Sequence, residues 1–357
     1  MANTRTPVSS PPSLTAVAAR VDARIDALFD TELARWKTVD PELVEPLMSL
    51  RRLVDAGGKR LRPAFCYWGF IGAGGDPDDQ RVIDAGAAFE LLHAFALVHD
   101  DVMDGSPTRR GEVTAHVDFG ARHVRQTWRG EPRRFGEGVA ILIGDLSHVY
   151  ADLLLDGANR GDVAAIWHEL RLELNVGQYL DMLGTARGDR DPASARRIAR
   201  YKSGKYTIER PLHVGAALTG RLDELGPVLS AYGDPLGEAF QLRDDVLGAF
   251  GDEARTGKPV GQDLREGKPT PLLASATGRA NPAQSQVLDI VGVADLSDDE
   301  VVRVQQVMVD TGAVIEVEET IDRLTTTAIK AISDAPVEPE ARAALIELAH
   351  YVAARDS

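Results

Sequence analysis

An all-α fold is predicted by three features of this 357-residue sequence. Apolar residues recur at helical spacing along most of the chain, period-two strand patterns with hairpin turns are absent, and abundant alanine with only 6% aromatics suits closely packed helices. The leader, residues 1–13, is rich in Ser, Thr and Pro, buries nothing obvious, and is expected to be disordered. From there Ile25, Leu28, Phe29, Leu33 and Trp36 stripe one helical face, and the period returns over Phe89–Met103, Val139–Leu155, Ile166–Leu183 and Val301–Ile332. Gly57-Gly58, Gly74-Gly75, Gly105 with Pro107, Gly130 with Pro132, Gly157 and Gly251 each end one run before another begins. At about 11–12 residues per average helix, with several runs longer, about ten to thirteen helices account for the chain. The length allows two domains, but no linker divides the sequence. The longest polar interruption, Gly251–Pro269, has the size of a functional loop.

Forty Lys plus Arg against 55 Asp plus Glu give a formal charge of −15. So acidic a balance argues against sequence-independent binding to nucleic acid or to an anionic membrane, both of which need a basic face. Anionic substrates would have to be met by local basic clusters or by metal ions. The single cysteine, Cys66, can form no intrachain disulfide, and no C-x-x-C pair offers a zinc site. The N-terminus has Pro and Ser where an export signal carries its apolar run, and nowhere are there 18 uninterrupted apolar residues. These features predict a cytoplasmic protein without stable membrane insertion.

Acidic clusters carry the chemistry. In FELLHAFALVHDDVMD an apolar helix ends in Asp100, Asp101 and Asp104. Asp100 and Asp104 share a face, so their charges repel, and they sit at a helix C-terminus where the dipole is already negative. Divalent cations reverse that cost, and Mg²⁺ favours one or two carboxylates together with substrate phosphates. QLRDDVLGAFGD repeats the device at Asp244 and Asp245, with Asp252 farther on. One such pair could be a solvated helix end, but two on apolar helices point to metal binding.

Basic residues are grouped too: Lys59, Arg60 and Arg62 in GGKRLRP, Arg109 and Arg110 in SPTRRG, Lys202 and Lys205 in YKSGKYTIERP, then Lys258 and Lys268. Arginine's planar fork and lysine's point charge are common phosphate ligands. TGKPVG lacks the Walker spacing. His93 lies seven residues before Asp100, about 10.5 Å along the same helical face, where a core histidine is the simpler reading from spacing alone. His99 and His116 read as structural.

These motifs together resemble the trans-isoprenyl diphosphate synthases. HDDVMDGSPTRRGEVTAH is similar to that family's first aspartate-rich motif with its paired arginines, and GGKRLRP to its segment for isopentenyl diphosphate. GQYLD at 177–181 resembles its mid-chain Gln and Asp, FQLRDDVLGAFGD its second aspartate-rich motif, and GKPVGQDLREGKPT the segment that follows. The matches run in family order over about sixty per cent of the chain.

The resemblance implies a single helical domain over 14–357 around a deep central cavity, usually a homodimer. Asp100, Asp104 and Asp244 would hold Mg²⁺, expected as three ions per site with Mn²⁺ able to substitute, and Asp101 and Asp245 would support them. Arg109, Lys202 and Lys258 would contact an allylic diphosphate. Lys59, Arg62, His93 and Arg110 would grip isopentenyl diphosphate. Gln178 and Asp181 would line the site, and Ser203, Gln241 and Lys268 join the substrate-binding set. Among these, Asp100, Asp101, Asp104, Asp244, Asp245 and Lys202 would serve catalysis.

Residues four and five before the first aspartate help set product length in the family. Here they are Ala96 and Phe95, a small residue beside a bulky one, similar to the geranylgeranyl (C20) type. A C15 product is the runner-up. Two departures stand out: Gly248 occupies the place of the second motif's third carboxylate, and Ser203 replaces a threonine while keeping the hydroxyl. A terpene cyclase would not need GGKRLRP, and a catalytically silent modulatory subunit finds support only in Gly248. Arg355 could help close the mouth of the site, and a surface arginine at a frayed terminus is the simpler reading.

Overall fold

The computed structural model describes residues 9–158, 161–251, 260–293 and 296–355. Residues 1–8 of the leader, Asp252 and Lys258 therefore lie outside the described residues. The chain forms two compact units, one of Leu14–Tyr67 with Pro77–Arg160, the other of Trp68–Asp76 and Gly161–Ser357 with Met1–Ser13.

The first unit contains α1 (Pro12–Val39, from Leu14 on), α2 (Val44–Asp55), the start of α3 (Leu61–Gly72), α4 (Gln80–Asp104), α5 (Ala115–Arg125) and α6 (Pro132–Asp156). Helix α4 starts where the Asp79 side chain accepts from the Arg81 amide, and it stops at Gly105, in the left-handed conformation, whose amide donates to Asp101 O. It packs along α6, and α6 along α5. Ser147 of α6 donates its hydroxyl to Leu91 O of α4 at 2.7 Å. By length and composition α4 and α6 could each cross a membrane, yet α4 is the core helix of this unit, with Phe89, Leu91 and Leu92 fully buried.

Between α4 and α5 lies the one short sheet among the described residues. Thr108–Arg109 (β1) pairs antiparallel with Glu112–Val113 (β2). Arg110 and Gly111, at φ +54° and +79°, form the two-residue turn, both central residues at positive φ as such a tight hairpin requires. No strand was expected here, because two residues per strand are too few to carry a period-two pattern.

The second unit contains α7 (Gly161–Arg187), α8 (Pro192–Ala199), α9 (Arg210–Leu218), α10 (Leu222–Phe250), α11 (Gln262–Glu266), α12 (Pro271–Arg279), α13 (Pro282–Leu288), α14 (Asp298–Asp310), α15 (Ala313–Ser333) and α16 (Pro339–Ala354). The run Val301–Ile332 is two helices, broken at Gly312 (φ +74°). Sixteen α-helices are present among the described residues, above the expected ten to thirteen, because five of them have only five to nine residues. Leu242, Leu264, Leu272, Val304, Met308 and Ile321 anchor a core shared by α10, α11, α12, α14 and α15. Arg200–Glu209, between α8 and α9, is wound as a π-helix. Such segments are rare and mostly mark functional sites; this one carries Lys202, Ser203 and Lys205.

Candidate active site

In the first unit the acidic helix end is answered by the hairpin. Arg109 on β1 donates from Nε to Asp101 Oδ1 at 2.8 Å and from Nη2 to Asp100 Oδ2 at 3.1 Å. Asp101 is 3% exposed and Arg109 8%, so this charged fork is largely dry. Burial lowers the Arg109 pKa, but Asp101 and Asp100 outweigh it and hold the guanidinium charged. The repulsion expected along the last turn of α4 is thus partly relieved by Arg109, while Asp104 remains half-buried on the same turn.

A basic pocket adjoins it. Arg60, at φ +51°, fixes the segment by donating to Asp22 at 2.7 Å, Glu90 at 2.9 Å and Val54 O at 3.0 Å, a structural role that leaves Lys59 and Arg62 to flank it. Arg110 reaches Leu53 O at 3.2 Å. His93 is the ring these arginines surround. Burial, then Arg62, Arg110, Arg109 and Arg60, hold its pKa well below the usual histidine range, so it stays neutral beside four cations.

In the second unit Gly177 of α7 lies against the backbone of Lys202, where a Cβ would collide. That close approach seats the π-helix on α7 and lets Lys202 donate to Asp181 Oδ2 at 2.6 Å, with Gln178 half-buried one turn before. Behind it, Glu173 is 7% exposed, accepts from Lys205 at 2.8 Å, and takes both forks of Arg210 at 2.7 and 2.8 Å. Those bonds outweigh burial and hold the Glu173 carboxyl below its ordinary pKa.

On α10, Asp244 is half-exposed and Asp245 is 3% exposed, accepting from Gln241 at 2.8 Å. Burial first, then Asp263, Asp244 and Asp181, push the Asp245 pKa well up. Asp263, on α11, was not singled out in the sequence, although it stands inside GKPVGQDLREGKPT. A Cβ at position 248 would overlap its carboxylate. The Asp263 carboxylate thus lies in the space that a side chain at position 248 would take. Lys268, three residues past α11's fourth, pairs with Glu266 at 2.8 Å.

A sequence model of the family described as polyprenyl synthetase matches residues 45–308. The chain belongs to the polyprenyl synthetase family. It is 34% identical over 269 residues to the geranylfarnesyl diphosphate synthase of Aeropyrum pernix, covering 73% of this chain and 78% of that protein. It is 32% identical over 308 residues to a geranylgeranyl diphosphate synthase of Mycobacterium tuberculosis, covering 84% and 81%. A crystal structure of geranylgeranyl pyrophosphate synthase from Corynebacterium glutamicum, complexed with isoprenyl diphosphate and magnesium, is similar with a TM-score of 0.87, 35% identity, and coverage of 97% and 99%. This polyprenyl synthetase is therefore a prenyltransferase with an all-α fold.

The acidic clusters of this polyprenyl synthetase fit a divalent metal of the magnesium kind. Their donors are carboxylate oxygens, and Asp245 Oδ2 is buried without a hydrogen-bond partner among the described residues. Among those residues no three His, Cys, Asp or Glu side chains form a ready-made cage. Mg²⁺ needs none where substrate phosphates complete its shell. Replacing Gly248 with Asp, which would restore the motif on paper, is expected to overpack Asp263 and destabilise the protein by about 1–3 kcal/mol. Thermal unfolding of the variant checks this, and wild-type stability with wild-type activity would show that Asp263 does not need the space.

Phe95 and Ala96 precede the first aspartate on α4. Phe95 meets the His99 ring edge-on at 4.7 Å between centroids and stacks on His148 of α6 at 4.9 Å, while Ala96 is half-buried beside it. His99 bonds Ile141 O at 3.0 Å. Arg355 departs from the frayed-terminus expectation: it is 5% exposed and bound to Asp244, because α16 is docked on α10 to its last turn.

Proposed function

We propose that this polyprenyl synthetase condenses isopentenyl diphosphate head-to-tail with allylic diphosphates and releases mainly the C20 product, geranylgeranyl diphosphate. The observation that carries the chain length is Phe95, held between His99 and His148 five residues before Asp100 on α4. A ring stacked on one neighbour and met edge-on by another cannot swing aside without losing both contacts, so it limits the growing chain. Relatives named as geranylgeranyl synthases support the reading, although a geranylfarnesyl relative shows that nearby sequences serve other lengths.

In the mechanism we infer, Asp100, Asp104 and Asp244 would hold Mg²⁺, three ions per site with Mn²⁺ able to replace it, and Asp101 and Asp245 would support them. The metal's chemistry is to neutralise the pyrophosphate charge that builds as the allylic C–O bond breaks. Lys202, aimed by Asp181, and Arg109 add positive charge to the leaving group, and Lys258 serves the same diphosphate. Lys59, Arg62 and Arg110 bind the isopentenyl diphosphate, and neutral His93 donates or accepts a hydrogen bond there without adding charge. Gln178, Gln241, Ser203 and Lys268 complete the substrate contacts. The isopentenyl double bond attacks the allylic cation, and the departing pyrophosphate takes the proton, so no side chain is assigned as base.

Residues 14–357 serve as one prenyltransferase domain in this reading, and the enzyme acts in the cytoplasm without inserting into a membrane. A homodimer is supported by the apolar face of α6, where Leu142, Val149 and Leu153 are 61%, 54% and 56% exposed. Incubating the purified protein with Mg²⁺, isopentenyl diphosphate and C5, C10 or C15 primers, and sizing products by mass spectrometry, is expected to give C20. Phe95→Ala should shift the main product upward by at least one C5 unit. A C15 main product from the wild type would reject the floor reading, as would an unchanged distribution from an active variant. No condensation with any primer would favour a silent subunit.

A further inference from the structure

Asp244 already has a cation. Arg355, just past the end of α16, donates from Nη2 to Asp244 Oδ1 at 2.5 Å and to Phe240 O at 3.0 Å, and its guanidinium lies 4.1 Å from the Phe240 ring centre. The contact is built rather than incidental. Arg243, next to Asp244, holds Ala353 O at 2.8 Å and forks onto Glu318 of α15 at 2.7 Å through each nitrogen, so the end of the chain is fastened to α10. The surroundings of Asp244 are otherwise acidic: Asp244, Asp263 and Asp181 each bear electrostatically on its neighbour Asp245. Asp244 keeps 38% of its side chain exposed, so a solute can reach the carboxylate that Arg355 holds.

We propose that Arg355 is a placeholder cation: it neutralises Asp244 in the metal-free protein and is displaced when Mg²⁺ with a diphosphate arrives, which loosens the last turn of α16. The inference rests on Asp244 as a metal ligand. It runs opposite to a role in which Arg355 grips the substrate diphosphate, because a displaced arginine competes with the ligand and a gripping one assists it.

The two roles differ in sign when Mg²⁺ is titrated, in the presence of inorganic pyrophosphate, while thermal unfolding is followed. Arg355→Gln is expected to lower the metal-free midpoint of unfolding and to reduce the Mg²⁺ concentration for half-maximal stabilisation by roughly fivefold, with Arg355→Lys staying near wild type. An unchanged or higher Mg²⁺ requirement in Arg355→Gln overturns the proposal. Hydrogen exchange on the wild type gives a second reading independent of any variant: amides of Leu348–Arg355 should exchange faster with Mg²⁺ and pyrophosphate than without. Equal or slower exchange also overturns it. If Mg²⁺ and pyrophosphate leave wild-type unfolding unmoved, the metal reading of Asp244 fails and the placeholder with it.

Discussion

Asp100→Ala should cut prenyl transfer by about three orders of magnitude while leaving the fold intact. Asp100 is half-buried, and Arg109 keeps its stronger partner, Asp101, when the Asp100 carboxylate is removed. In the proposed mechanism Asp100 would hold the metal that answers the departing pyrophosphate, so its loss would withdraw stabilisation felt mainly in the transition state. A factor of about a thousand corresponds to about 4 kcal/mol, in the range of a single removed electrostatic group. Steady-state turnover with a C15 primer measures the loss, and circular dichroism reports the helices. Asp101→Ala is the informative contrast, since it strips a 92%-buried arginine of its main partner and should lower the unfolding temperature as well. Turnover of Asp100→Ala within tenfold of wild type would remove Asp100 from the metal site.

Glu173→Ala should be the most destabilising of the substitutions considered, by about 3–5 kcal/mol. Glu173 sits between Lys205 and Arg210 and takes three hydrogen bonds from them. Removing it leaves two cations facing each other in a site with little water. Lys205 is also within 3.8 Å of Glu209, and Ser230 donates to the other oxygen of that carboxylate at 2.8 Å, so the loss spreads along the π-helix. Lys202 rides on the same segment, and its bond to Asp181 should weaken too. Denaturant unfolding measures the stability change.

The same carboxylate sets part of the acid limb of stability. Its folded pKa lies below the ordinary value, so its contribution is present above the unfolded carboxylate pKa and is lost as pH falls through the depressed folded one. Glu173→Gln should therefore flatten the wild type's decline in stability below about pH 4. An identical acid limb in the two proteins would mean that other carboxylates carry it.

Much of the fold was legible because helices announce themselves locally. The stripe from Ile25 to Trp36 falls within α1, and the runs at Phe89, Val139 and Ile166 fall within α4, α6 and α7. The π-helix was not legible. Its residues, RYKSGKYTIE, carry the same polar and apolar types as an α-helix turn, and its seat against Gly177 of α7 exists only in the folded chain. Asp263 was hidden for a different reason: in sequence it is a lone acid in a polar stretch, and its meaning depends on the absent side chain at Gly248, fifteen residues earlier. Arg355 misled because terminal position is a statistical guide to exposure, whereas Asp244 and Phe240 supply partners that bury it.

The sequence by itself determined the all-α class, both aspartate pairs, the basic groups around them and, through their order, the polyprenyl synthetase family. Those are properties of residue type and spacing along one helix, where neighbours three and four positions apart meet whatever the rest of the chain does. Tertiary structure decided which charge each side chain faces. Arg109 answers Asp101 across a hairpin, Asp263 fills the space beside Gly248, and Arg355 reaches Asp244 from 111 residues away. Coulomb energies and hydrogen bonds depend on separation in space, and only the packed helices fix that separation.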